Sequence, residues 1–193
     1  MLQTILDDVD AVLANDPAAH SRVEVLLVHS PLHAILVHRL AHWLYAALGV
    51  PLLPRVLSNL ARLFTGVEIH PGAEIGRRFF IDHGTGVVIG ETAEIGDDCV
   101  LFHNVTLGGT GKHTGKRHPT LRDRVFIGTG ATLLGPLTVG SDVKIGAQSF
   151  VRMHDVPPDC TVVGAPARLV KQHGERVERE LKPTVEPDGS EVP

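Results

Sequence analysis

The chain is poor in cysteine and in aromatic rings: its 193 residues hold two cysteines, one tryptophan, one tyrosine and six phenylalanines. Two cysteines cannot staple a small secreted scaffold, so Cys99 and Cys160 read as reduced structural thiols and the compartment as cytoplasmic. So few rings argue against an aromatic cofactor box and suit a core of branched aliphatics. Long apolar runs are missing too. None reaches the roughly 18 residues that span a bilayer, and the start has no basic segment followed by an apolar one, so no membrane is expected. A formal net charge of -4 gives no general attraction to nucleic acid. Hydrophobic residues still make up 43% of the chain, enough for a true core.

What is present is a period of six. One apolar ladder runs Ile69, Ile75, Ile81, Val87. A second, shifted by two, runs Ile89, Ile95, Leu101, Leu107, and a third runs Leu121, Ile127, Leu133, Val139, Ile145, Val151. Six is a multiple of the strand period of two and does not fit a helical turn, so every rung can face inward. Two positions before most rungs stands a small or apolar residue, such as Ala73, Ala93, Val105 or Ala131, and glycine often follows the rung. This repeat predicts a parallel β-helix.

The first 65 residues read as helical. Leu2, Ile5, Leu6, Val9, Val12 and Leu13 form one stripe, stopped by Asn15-Asp16-Pro17. A second helix is predicted with Ser30 as N-cap, Pro31 at its first helical position and Gly49 just past its end, and a third from about 51 to 65. The expected division is an α-helical region over 1–65, a β-helix over 66–170 with an extruded loop at 108–119, and a partly disordered tail over 171–193. The tail is expected to be disordered because its last residues are rich in proline and acid and lack an apolar period.

Two segments break the repeat and carry the chemistry. Asp82-His83-Gly84-Thr85-Gly86 sets a carboxylate beside an imidazole, a pairing that can orient a general base. Between Leu107 and Leu121 the glycine-rich run GGTGKHTGKRHPT replaces a rung, as expected of a loop that builds a ligand site on an unchanged scaffold. It is not a phosphate-binding Walker loop, because neither Gly-Lys pair has the required upstream glycine or following Ser or Thr. The pairs His29/His33 and His38/His42 share helical faces but lack a third ligand, and read as histidines of a packing seam.

The runs VEIHPGAEIGRRFFIDHGTGVVIGETAEIGDD, VTLGGTGKHTGKRHPTL and VPPDCTVVGAPARLV resemble bacterial serine O-acetyltransferases of the hexapeptide-repeat superfamily, over about Asp16 to Lys171. The resemblance implies a left-handed parallel β-helix preceded by a small helical region, and a homotrimer with active sites between neighbouring subunits. It also implies acetyl transfer from acetyl-CoA, as co-substrate, to the hydroxyl of L-serine, with no metal. Carried over by motif, His83 is the general base and His118 the second active-site histidine. Asp82 and Asp16 hold the serine ammonium, and Arg117 its carboxylate. Gly109, Thr110, Lys112, Thr129, Gly130 and Ala147 line the acetyl-CoA groove.

The chain departs from the family pattern at three points. Glu68 stands where an aspartate usually partners the catalytic histidine, the long helical extension that joins two trimers is largely absent, and the terminus reads Val192-Pro193 in place of isoleucine. The expected dyad is therefore Glu68 with His83, while a hexamer and a complex with O-acetylserine sulfhydrylase stay open. The alternatives are a sugar or antibiotic acetyltransferase on the same coil, or a γ-carbonic-anhydrase-like or non-catalytic solenoid.

Overall fold

The computed structural model describes residues 2–50, 52–111 and 114–184. Four helices, α1 (Leu2–Asn15), α2 (Arg22–Val28), α3 (Ser30–Leu48) and α4 (Leu52–Thr65), precede a parallel solenoid with three faces. The first face stacks β1 (Glu68–Ile69), β4 (Val88–Ile89), β7 (Thr106–Gly108), β10 (Thr132–Leu134) and β13 (Phe150–Arg152). The second stacks β2 (Glu74–Ile75), β5 (Glu94–Ile95), β8 (Thr120–Leu121) and β11 (Thr138–Val139). On the third are β3 (Phe80–Ile81), β6 (Val100–Leu101), β9 (Phe126–Ile127), β12 (Lys144–Ile145) and β15 (Cys160–Val163).

The rungs behave as the six-residue period requires. Ile69, Ile81, Ile89, Leu101, Leu107, Leu121, Ile127, Leu133, Val139, Ile145 and Val151 are buried in one cluster with the smaller residues two positions earlier. Each such aliphatic adds about 1.5–3 kcal/mol of burial free energy, so the column as a whole supplies the scaffold's cohesion. Cys99 belongs to this column; burial pushes its thiol up to about 12, and its Sγ donates to the Arg122 carbonyl at 3.1 Å. The corner between the second and third faces is regular and held by ion pairs between successive coils, Arg78 with Asp98 and Arg124 with Asp142.

The helices cap the first coil. Ala34 and Ile35 of α3 join the solenoid core, while Val9, Val12, Val25 and Leu32 pack on Phe80. Arg39 of α3 pairs with the fully buried Asp8 of α1 at 3.2 Å and donates to the carbonyls of Ile75 and Gly76, tying both helices to the coil. Removing one member of such a buried pair typically costs about 3–5 kcal/mol. No single helix among the described residues is long and apolar enough to cross a membrane.

Three local expectations change. Helix α2 has no counterpart in the sequence reading: its seven residues are too short for a helical period, and the helix depends on Ser21 accepting the Glu24 amide at 3.2 Å. The N-cap of α3 is His29, not Ser30, with Nδ1 accepting the Leu32 amide at 3.2 Å. Beyond residue 170 the chain continues as sheet. β16 (Arg168–Gln172) and β17 (Glu175–Glu180) form an antiparallel hairpin on β15, and β18 (Lys182–Pro183) pairs with β14 (His154–Asp155). The hairpin escaped notice because Glu175–Glu180 is almost wholly exposed and shows no apolar alternation. Residues 185–193, with Val192-Pro193, lie outside the described residues.

Candidate active site

The regular coil takes 18 residues, as from Ile89 to Leu107 and from Leu133 to Val151. Two coils are longer. Ile69 pairs with Ile89 across 20 residues, and Leu107 with Leu133 across 26. The extra length falls in the two segments that broke the repeat, and each carries a histidine at a different corner of the prism.

At the corner between the third and first faces, the short insertion lifts His83 into the left-handed region at φ 62° with its side chain 71% exposed. Its Nδ1 is 3.8 Å from Asp82 Oδ1, and its ring meets His103 edge-on at 5.5 Å between centroids. Gly84, at φ 77°, lets Pro31 at the start of α3 pack directly on this segment, since a Cβ there would stand 2.8 Å from the proline ring. Asp16, just past α1, accepts the Ala18 amide at 2.8 Å. The charges of Asp16 and Asp82 both bear on His29, which rests against Phe80; burial holds its pKa below the ordinary value against their pull. Further along the same corner lie His103, then Thr129 and Gly130, then Ala147, joined coil to coil by the Gly130 amide to the His103 carbonyl at 3.0 Å and the Gln148 amide to the Thr129 carbonyl at 2.8 Å. Residues expected to hold the acceptor and part of the acetyl-CoA groove thus form one track.

At the corner between the first and second faces, the long insertion folds back so that His118 is almost buried. Gly90 makes this possible, because a Cβ there would overlap the imidazole. The His118 Nδ1 accepts the Thr92 amide at 3.2 Å and lies 2.9 Å from Thr92 Oγ1. An amide can only donate, so Nδ1 carries no proton and the neutral ring holds its hydrogen on Nε2. Burial first, then the Arg117 charge, pushes the His118 pKa down to about 4, which keeps that tautomer neutral at physiological pH. Arg117 pairs with Glu91, whose pKa this contact lowers and whose other oxygen accepts from Tyr45 at 3.3 Å. Gly109 packs against the Arg117 backbone, and Thr110 contacts Met153. Lys112 lies outside the described residues.

The expected site residues therefore fall into two groups at opposite ends of the first face: Asp16, Asp82, His83, Thr129, Gly130 and Ala147 at one, and Gly109, Thr110, Arg117 and His118 at the other. Among the described residues no hydrogen bond or ion pair joins the groups within one chain. The expected Glu68–His83 dyad is not formed. Glu68 pairs instead with Arg62 of α4 at 2.9 Å, since its side chain emerges on the first face below that helix. Glu91, Thr92 and Gly90 were missed as supporting residues, although a glycine-rich loop carrying a fixed cation calls for an acid nearby and the GETAEIG run supplies one.

No family model matches the chain. A curated serine acetyltransferase of Bacillus licheniformis is 57% identical over 182 residues, covering 94% of this chain and 83% of that protein. A crystal structure of Neisseria gonorrhoeae serine acetyltransferase in complex with serine superposes with TM-score 0.83 at 42% identity, covering 88% of this chain and 69% of that one. The Brucella abortus serine acetyltransferase in complex with coenzyme A gives 0.85 at 42% identity, covering 90% and 68%.

Proposed function

The chain belongs to the serine acetyltransferase family, and from that premise we propose that it moves acetyl from acetyl-CoA to the L-serine hydroxyl at a centre shared between two copies of itself. The observation that carries the shared centre is the separation of His83 and His118 at opposite ends of the first face. In a cyclic assembly with that face turned to the axis, the His83 corner of each copy meets the His118 corner of the next, and a threefold ring closes the set. An exposed imidazole then gains the cover that a water-excluding site requires.

His83 takes the proton of the serine hydroxyl as its oxygen attacks the thioester carbonyl. The tetrahedral intermediate collapses with loss of the thiolate, which His83 reprotonates, giving O-acetylserine and CoA. Asp16 and Asp82 bind the ammonium, and Arg117, steadied by Glu91, binds the carboxylate. His118 donates its Nε2 hydrogen to the bound acceptor. Acetyl-CoA runs along the Thr129–Gly130–Ala147 track, covered by Gly109 and Thr110 of the neighbouring loop. Asp82, adjacent to His83, takes the orienting part that the sequence suggested for Glu68.

Thiol release from acetyl-CoA across a panel of hydroxyl acceptors tests the reading. L-Serine is expected to react fastest, and analogues lacking its ammonium or carboxylate roughly tenfold to hundredfold more slowly, the loss of one charge-assisted hydrogen bond. Comparable turnover of a galactoside or chloramphenicol would overturn it.

A further inference from the structure

The Arg117 guanidinium is governed in part by a residue that does not touch it. Glu91 takes a hydrogen from its Nη2, and the Gly115 carbonyl accepts another from Nη1 at 3.4 Å. A guanidinium carries five N–H donors, so among the described residues three are left for a ligand carboxylate. That surplus exists because Glu91 meets Arg117 through Oε2 alone. Its other oxygen, Oε1, accepts the Tyr45 hydroxyl of α3 at 3.3 Å. An arginine and a carboxylate left to themselves close a fork through both oxygens, which here would consume a further donor.

Tyr45 is well seated to hold the acid open. One helical turn earlier His42 Nδ1 donates to the Pro71 carbonyl at 2.9 Å, and Arg39 reaches the carbonyls of Ile75 and Gly76, so α3 is tied to the coil beside this corner. The phenol ring stands edge-on to His70, with centroids 5.9 Å apart and planes at 85°. His70 Nδ1 accepts the Gly72 amide at 3.0 Å, and burial holds the ring's pKa below its ordinary value. It is therefore a neutral neighbour and no second cation competing for Glu91. Gly72 leaves room for the acid, since a Cβ there would stand 3.1 Å from the Glu91 Cγ.

We infer that Tyr45 is a positioning residue for acceptor recognition: by engaging Glu91 Oε1 it keeps the Glu91–Arg117 pair to one oxygen and leaves the remaining Arg117 donors to the acceptor's carboxylate. The inference rests on the reading that Arg117 binds that carboxylate. Tyr45 acts only through Glu91. Without its hydroxyl, Oε1 turns to Arg117 and competes with the acceptor for the same hydrogens. The helical region thereby takes part in choosing an amino acid over an alcohol that has an ammonium and no carboxylate.

The test compares kcat/KM for L-serine with kcat/KM for L-serinamide, which keeps the ammonium and the hydroxyl and lacks the carboxylate. Thiol release at saturating acetyl-CoA is followed in wild type, Y45F, E91Q, Y45F/E91Q and R117K. Y45F keeps the ring on His70 and loses one hydroxyl, so it is expected to fold. It should raise KM for serine and lower the serine-to-serinamide ratio by about threefold to tenfold, the scale of one hydrogen bond, with kcat within about twofold of wild type. Serinamide turnover should stay as it was. The amide of E91Q has one acceptor oxygen and cannot close the fork, so adding Y45F to it should change the ratio by less than about twofold. A tyrosine that only supports the fold would slow both acceptors alike. An unchanged ratio in Y45F, or the same loss with and without E91Q, overturns the inference while R117K still lowers the ratio. Failure of the carboxylate reading shows separately, as a wild-type ratio in R117K, and takes the inference with it.

Discussion

Two corners of one solenoid depart from its 18-residue coil, and they prepare their histidines in opposite ways. The shorter insertion leaves His83 exposed beside Asp82, held in place by its backbone but uncovered. The longer one buries His118 against Gly90 and fixes its tautomer through Thr92. The repeat supplies regular corners, and the departures from it decide which corner presents an exposed imidazole and which a buried one with a fixed tautomer. On the proposed reading, the exposed imidazole serves as base once another surface completes its site.

The largest expected effect comes from removing the proposed base. H83A should lower kcat by roughly 10² to 10⁴ with acetyl-CoA affinity nearly intact, measured by single-turnover kinetics and direct binding. Full activity at saturating substrates would end the distinction between the corners. Next, G90A should push His118 out of its pocket and lower kcat/KM for serine by about 100-fold, the scale of a lost positioned donor. If structure determination of that variant showed the imidazole unmoved, its burial could not be what prepares it.

The buried corner should also couple stability to pH. The folded His118 titrates near 4, below the ordinary 6.5 expected on unfolding. Between those values the unfolded chain binds a proton that the folded one does not, so stability falls as pH drops from about 6.5 to about 4, by up to about 1.4 kcal/mol per unit. His38, buried and pushed down to about 3, adds the same sign over a wider window. Denaturant melts across that range should show a shallower slope in H118N than in wild type. The smallest effect belongs to Glu68, which faces Arg62: E68Q should change kcat less than about threefold, and a loss matching H83A would restore the dyad.

Most of the solenoid was legible because the rungs Ile69 to Val151 repeat a burial pattern that no helix shares. The two insertions were legible as breaks in that count. Three things lay beyond it. The period cannot say which corner an insertion occupies until the three faces are assembled, so the separation of His83 from Arg117 and His118 emerges only in space. Helix α2 and the hairpin of β16 and β17 have too little buried surface to leave an apolar period. The partner of Glu68 depended on where α4 crosses β1, a contact of elements with no shared sequence signal.

The most direct test of a centre shared between copies is complementation. H83A and H118A, co-expressed with different affinity tags and purified through both, give mixed trimers in which some junctions join an intact His83 corner to an intact His118 corner. Each such mixed trimer, whether it holds two copies of one variant or of the other, has one whole junction of three, so activity should recover to about a third of wild type from two nearly inactive parents. Activity no greater than that of the parents, in trimers shown to contain both chains, would contradict the account.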